Sequence, residues 1–200
     1  MRVEVDLLGQ FRVSVDGRAA SAAAWRRTSS VTLVKLLALA RRQRLHREQV
    51  MDALWPDLEP EAAAANLRKA VHFTRRALGA HEIIALDGEI VALAPDAEIA
   101  IDAALFEVEA TAALQAGDKV ASERAAQRYG GDLLPEDRYA EWAEEPRQRP
   151  GSPSGCAGFW PGASSSSTAA TSAMPGERAR KPVRWRSRPH SGARSARPAR

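Results

Sequence analysis

The chain has few of the residues that cross-linking, metal binding and catalysis need. It holds one cysteine in 200 residues, Cys156, so an internal disulfide is excluded. Its four histidines, His46, His72, His81 and His190, are scattered, and with a single thiol they exclude a Cys-rich structural zinc site. No stretch approaches the roughly 18 consecutive apolar residues of a membrane span, so an integral membrane protein is not expected. The opening Met-Arg-Val-Glu-Val-Asp has neither an apolar signal core nor a small-residue cleavage site. A cytoplasmic protein is the expectation. No histidine has a nucleophile or carboxylate at a recognisable catalytic spacing. Gly130-Gly131 is not followed by the Lys-Ser/Thr of a phosphate loop, and Cys156 reads as an inert thiol. Neither an enzyme nor a cofactor is expected.

What the chain does have is charge, unevenly placed. Residues 1–80 carry 14 Lys/Arg and 8 Asp/Glu, a net of +6. Residues 81–149 carry 6 and 16, a net of −10, and residues 150–200 carry 9 and 1, a net of +8. A basic block followed by an acidic one suggests two modules with different partners, the basic one suited to a polyanion. The last block also holds 7 of the 12 prolines and 6 of the 13 glycines, with no Leu or Ile. Such a composition cannot bury enough apolar area to offset the entropy of ordering, so residues 148–200 are expected to be a disordered tail. Its arginines can meet nucleic acid electrostatically, but a passive tail is the plainer reading.

Val3, Val5 and Leu7 alternate with polar residues, as do Phe11, Val13 and Val15, and Asp16-Gly17 is a hairpin turn. A small antiparallel sheet should open the fold. Leu33, Leu36, Leu37 and Ala40 lie on one face of a first helix, with Thr28, Ser29 or Ser30 as its cap. A second, short helix should run from about Arg47 to Trp55, stopped by Pro56, with Trp55 packed into the core. A third should cover Glu61 to Leu78 and end at Gly79. Ile83–Leu86, Asp87-Gly88 and Glu89–Leu93 then read as a β-hairpin.

On a helical wheel the third helix is apolar at Leu67, Ala70, Val71, Thr74 and Leu78. Lys69, His72 and Arg76 lie opposite, Arg68 and Arg75 flank one edge, and Asn66 and Phe73 flank the other. A B-DNA major groove is about 12 Å wide and admits one helix with such a cationic front. A shorter helix before it and a hairpin after it complete the pattern of a winged helix. A solvated basic helix on another α+β domain would give a similar wheel.

Particular residues carry a resemblance. Leu8-Gly9-Gln10-Phe11-Arg12-Val13, Leu45 to Asp57 with its Leu-Trp-Pro-Asp ending, and Asn66-Leu67-Arg68-Lys69-Ala70-Val71-His72 are similar to the SARP-type bacterial regulators. So are Ile101-Asp102 with Phe106, Tyr129-Gly130-Gly131-Asp132-Leu133-Leu134-Pro135, and Tyr139 with Glu141-Trp142-Ala143-Glu144. The resemblance covers about residues 3–147. It implies an OmpR/PhoB-type winged helix over 1–96, followed by a bacterial transcriptional activator domain, here only 97–147, built as a TPR-like stack of helix pairs.

The function so implied is sequence-specific binding of double-stranded DNA and regulation of transcription. Asn66, Arg68, Lys69, His72, Arg75 and Arg76 are the expected DNA-binding residues. Lys69, His72 and Arg76 would face the groove, with Arg68 and Arg75 nearer the phosphate walls. His72 can equally be a plain exposed residue, and Arg26 and Arg27 read as solvated surface. RNA polymerase is a candidate partner. A homodimer is doubtful, because the helical domain is incomplete. The hairpin carries Glu82, Asp87 and Glu89 and no Lys or Arg, so phosphates should repel it and the third helix should dominate affinity. In the second module, Phe106, Ala110, Ala113 and Leu114 should share one helical face and Ala121, Ala125 and Tyr129 another, with a third helix beginning over Leu133–Trp142. The pattern ends near Pro146, which suggests a truncated or frameshifted chain. The competing reading is a protein-interaction module that uses the acidic helices and does not bind DNA.

Overall fold

In the computed structural model the described residues are 1–148, and the tail expected over 148–200 lies almost wholly outside them. The alternation at the N-terminus forms β1 (Arg2–Asp6) and β2 (Arg12–Val15), and the Asp16-Gly17 turn leads into the short β3 (Arg18–Ala19). Val3 and Val5 of β1 are fully buried and pair across the sheet with Val15 and Val13. The sheet is not purely antiparallel. β7 (Glu98–Ile101) lies parallel to β1, with Val3 opposite Ile99 and Val5 opposite Ile101, giving the order β3-β2-β1-β7.

Three helices separate these strands. α1 (Thr28–Leu39) starts at the backbone of Arg27 with no side-chain cap, so none of Thr28, Ser29 and Ser30 plays the expected role. Thr32 instead donates back to the Thr28 carbonyl at 3.1 Å, while buried Ser30 donates to the Ala70 carbonyl of the third helix at 3.2 Å. α1 is also buried over a wider arc than one apolar stripe: Leu33, Val34, Lys35, Leu37 and Ala38 are covered, and Leu36 and Ala40 only partly. It is the central helix, touching other elements on several sides, so a single-face reading undercounts its burial.

β4 (Arg44–His46) precedes α2 (Arg47–Leu54), where the His46 ring accepts from the Glu48 N–H and Gln49 Oε1 accepts from the His46 N–H. Pro56 follows, and Trp55 is half-buried against the core. α3 (Pro60–Leu78) begins on a proline, whose missing N–H costs nothing at a helix start, and buries Ala63, Leu67, Ala70, Val71 and Thr74. The Thr74 hydroxyl, within reach of the Ala70 and Ser30 carbonyls, has a partner despite full burial. β5 (Ile84–Asp87) and β6 (Ile90–Leu93) form the hairpin around Gly88, and β4 pairs with β6, making a three-stranded wing of order β4-β6-β5.

The acidic part follows directly on β7. α4 (Asp102–Ala116) and α5 (Lys119–Arg128) pack as a pair, with Ala103, Phe106, Ala110 and Ala113 buried on α4 and Ala125 on α5. Leu114, expected on the buried face, is 43% exposed near the far end of α4. The stretch expected to open a further helix at Leu133 is extended. Leu8 bridges Leu133, Gly9 N–H donates to the Asp132 carbonyl at 2.9 Å, and Leu134 N–H donates to the Leu7 carbonyl at 2.9 Å. Leu134 sits at φ +46°, Pro135–Asp137 makes only a single 3-10 turn, and an α-helix resumes at α6 (Glu141–Gln148).

Asp102 ties the two parts at their junction. Its carboxylate accepts from the N–H groups of Leu7 at 2.8 Å, Leu8 at 2.9 Å and Ala103 at 2.6 Å. Burial pushes this carboxyl above the ordinary aspartate range, although the three N–H donors pull the other way. One continuous apolar cluster runs from Val3 through Leu37, Leu67 and Ile84 to Phe106 and Leu134, and all described residues fall in one compact unit.

Candidate nucleic-acid interface

With one side of α3 held in the core, its other side is open. Arg68, Lys69, His72 and Arg76 are exposed, and Asn66, Phe73 and Arg75 are half-buried. The exposed cations start at Arg68 and occupy the middle and the end of the helix. Its first turn carries Glu61, which suits the positive end of the helix dipole.

Two of the candidate side chains have definite partners. Arg75 donates from Nε and Nη2 to the Ile84 carbonyl at 3.2 and 2.7 Å, and its Nη1 lies 3.1 Å from His81 Nε2. It therefore braces the wing against α3. His72 stands edge-on to Phe73, with ring centroids 5.4 Å apart and planes at 76°. The Arg27 guanidinium lies over the Phe73 ring, 4.9 Å from its centroid. A cation over a ring face is held by the ring quadrupole, so Arg27 extends the basic surface from the start of α1 to α3. Trp25 instead packs on Phe11 at 5.7 Å between ring centroids.

Between α3 and the wing lies a cleft of about 510 Å³. Arg68, His72, Arg75, Arg76 and His81 line it, with Val71 and Leu86 supplying apolar wall. None of Glu82, Asp87 and Glu89 is among its lining residues. Glu89 is 3.6 Å from Arg47 at the start of α2, and its carbonyl accepts the Arg47 N–H at 2.7 Å. A second cleft, of about 670 Å³, opens on the other side of Arg76 beside Arg18 and Asp16 of the first hairpin.

His81 was not legible as part of this surface. It lies just past the end of α3, where no periodic pattern assigns a face, and only the docking of the wing brings it to Arg75. Among the described residues, no group of three His, Cys, Asp or Glu side chains is placed to hold a metal ion, and no helix is long and apolar enough to cross a membrane.

No family model and no curated protein matches the chain. Among solved structures it is similar to EmbR of Mycobacterium tuberculosis, determined in complex with a low-affinity phosphopeptide, with a TM-score of 0.57 and 22% identity. The match covers 72% of this chain, which spans only 40% of the EmbR chain. At that identity the likeness establishes the fold: the mixed α+β architecture is that of an EmbR-like winged helix with helices appended.

Proposed function

We propose that this protein is a transcription regulator that binds double-stranded DNA with α3 in the major groove. The observation that carries the reading is the two-sidedness of α3, with Leu67, Ala70, Val71 and Thr74 in the core and Arg68, Lys69, His72 and Arg76 in solvent. In this reading Lys69, His72 and Arg76 reach base edges and Asn66 reads from the flank. Arg68 meets a phosphate wall. Arg75 acts mainly by fixing the wing. Residues 1–96 are the DNA-binding part, and 97–147 a TPR-like control part able to meet RNA polymerase or a second copy. The setting is the cytoplasm, and no catalysis is involved. The EmbR-like fold supports regulation at the level of architecture.

The test is a salt series on the intact chain with duplex DNA. Affinity should fall steeply with salt, because each neutralised phosphate releases counterions with a slope of about −0.9 per contact. Lys69→Ala and Arg76→Ala should each weaken binding on the order of tenfold and leave the thermal midpoint within a degree or two, since both side chains are exposed. Unchanged affinity in both variants would remove α3 from the interface. The second reading, protein binding by the acidic helices, draws on exposed Leu105 and Val108 of α4. It predicts no duplex binding at any salt.

A further inference from the structure

The sequence poses a difficulty for a DNA-binding winged helix: the hairpin of the wing has acidic residues and no basic one. The structure sets those carboxylates off the cleft between wing and α3 and lines that cleft with three arginines and two histidines. The geometry points to this cleft as a seat for one backbone phosphate of the duplex, with His81 as a proton-controlled member of the seat. This inference rests on the DNA-binding reading and adds to it a named site, a ligand group and a pH dependence.

The hydrogen bond between Arg75 and His81 fixes the chemistry. A guanidinium only donates, so His81 Nε2, 3.1 Å from Arg75 Nη1, must be the acceptor, and the ring is neutral in this contact. Protonating His81 removes the acceptor and sets a second positive charge beside the first. His81 is itself exposed. The α3 residues that line the cleft with it are Arg68, His72, Arg75 and Arg76, all basic, and the wing adds only Leu86. Glu82 is the next residue along the chain, but it is exposed and outside the cleft. In the empty cleft the proton therefore costs the contact with Arg75. A phosphate in the cleft reverses the balance, because it accepts from both the imidazolium and Arg75. Reciprocity then requires that acid strengthens phosphate binding by the same factor. Histidine is the side chain whose charge ordinarily changes in the physiological range, so the effect is read across that range. The wing thus contributes to DNA binding by closing one side of a basic cleft and placing one histidine, without a cation of its own on the hairpin.

The experiment measures affinity of the intact chain for a fluorescent duplex of mixed sequence at constant ionic strength, at about pH 8 and about pH 6. Mixed sequence suffices because a phosphate contact is independent of base identity. The wild type should tighten roughly three- to tenfold on acidification. His81→Gln keeps an acceptor for Arg75 but cannot gain a proton. Whatever its affinity at the higher pH, it should lose most of the gain on acidification. Lys69→Ala, which lies outside the cleft lining, should keep the gain. The His81 ring signal in NMR should titrate at higher pH with duplex than without, and inorganic phosphate should shift it in the same direction more weakly. If duplex binds but His81→Gln retains the full pH response, or the His81 ring titrates alike with and without duplex, the seat is overturned and the regulator reading stands. If the wild type binds no duplex at either pH, the regulator reading falls and the seat falls with it.

Discussion

Replacing Asp137 by Ala is expected to destabilise the protein by about 3–5 kcal/mol, because it strands a buried ammonium. Lys35 lies in the middle of α1, and its side chain is only 3% exposed. Its Nζ is 2.6 Å from Asp137 Oδ2 and 3.5 Å from Glu136 Oε2, and it stands 4.9 Å from the centroid of the Phe11 ring. The charge is taken out of water and repaid by one close carboxylate, one looser one and an aromatic face. Glu136 is 69% exposed and makes the longer contact, so Glu136→Ala should cost no more than about 1 kcal/mol. Lys35→Met keeps the aliphatic stem and removes the charge. It leaves Asp137 without its cation, but that carboxylate is 21% exposed and can reach water. The cost should therefore be well below that of Asp137→Ala, and only the double variant replaces the whole pair by apolar volume. The double variant Lys35→Met with Asp137→Ala should then recover most of the stability lost in Asp137→Ala alone. Urea unfolding of the four variants gives the coupling energy directly. If Asp137→Ala costs no more than Glu136→Ala, the pair is not the lock between α1 and the 135–137 turn that its geometry indicates.

Much of the fold was legible because its signals are local. The alternation of Val3, Val5 and Leu7, the Asp16-Gly17 and Asp87-Gly88 turns, and the spacing of Leu67, Ala70, Val71 and Thr74 each lie within a few residues. They dictate strand, turn or helix without reference to anything distant. What escaped depends on contacts across the chain. The parallel pairing of β7 with β1 joins residues more than 90 positions apart, and Glu98-Ile99-Ala100-Ile101 is too short to announce itself. Lys35 reads as a solvent residue until the turn at Pro135–Asp137 covers it. Leu133 and Leu134 carry helix-forming side chains, yet the Leu134 N–H goes to the Leu7 carbonyl, just past β1, and Arg147 donates to both of their carbonyls. The candidate interface divides in the same way. A wheel places Lys69, His72 and Arg76 away from the apolar stripe, and they are exposed. That Arg75 spends its donors on Ile84 and His81 follows only from where the wing docks.

Gly9→Ala and Gly17→Ala should differ sharply, although both glycines sit at φ +77°. The shared backbone conformation disfavours any side chain and costs about 1 kcal/mol for alanine in each case. At Gly17 an added Cβ meets nothing within 4 Å, so that strain is the whole effect. At Gly9 the same Cβ would lie 2.4 Å from the Gly130 carbonyl oxygen and 3.1 Å from its carbon. The obstacle is backbone and cannot rotate away. Gly131 crowds back in turn, since a Cβ there would come within 3.0 Å of the Gly9 Cα. The two turns therefore interlock by having no side chains, and this close approach allows Gly9 N–H to reach the Asp132 carbonyl. Relief requires the 130–134 segment to lift off Leu7, Leu8 and Gly9, breaking that bond and the one from Leu134 to Leu7 and exposing buried Leu133 and Leu134. Losing two buried hydrogen bonds and part of two leucine burials adds about 3 kcal/mol or more to the strain. Gly9→Ala should thus melt well below Gly17→Ala, and limited proteolysis should cut it first between residues 128 and 141. Equal melting of the two variants would mean that the helical part is not held to the winged helix at this point. If instead Gly9→Ala lowers the midpoint well beyond Gly17→Ala, the Gly-Gly approach is the hinge pin through which the acidic helices are fixed to the winged-helix half.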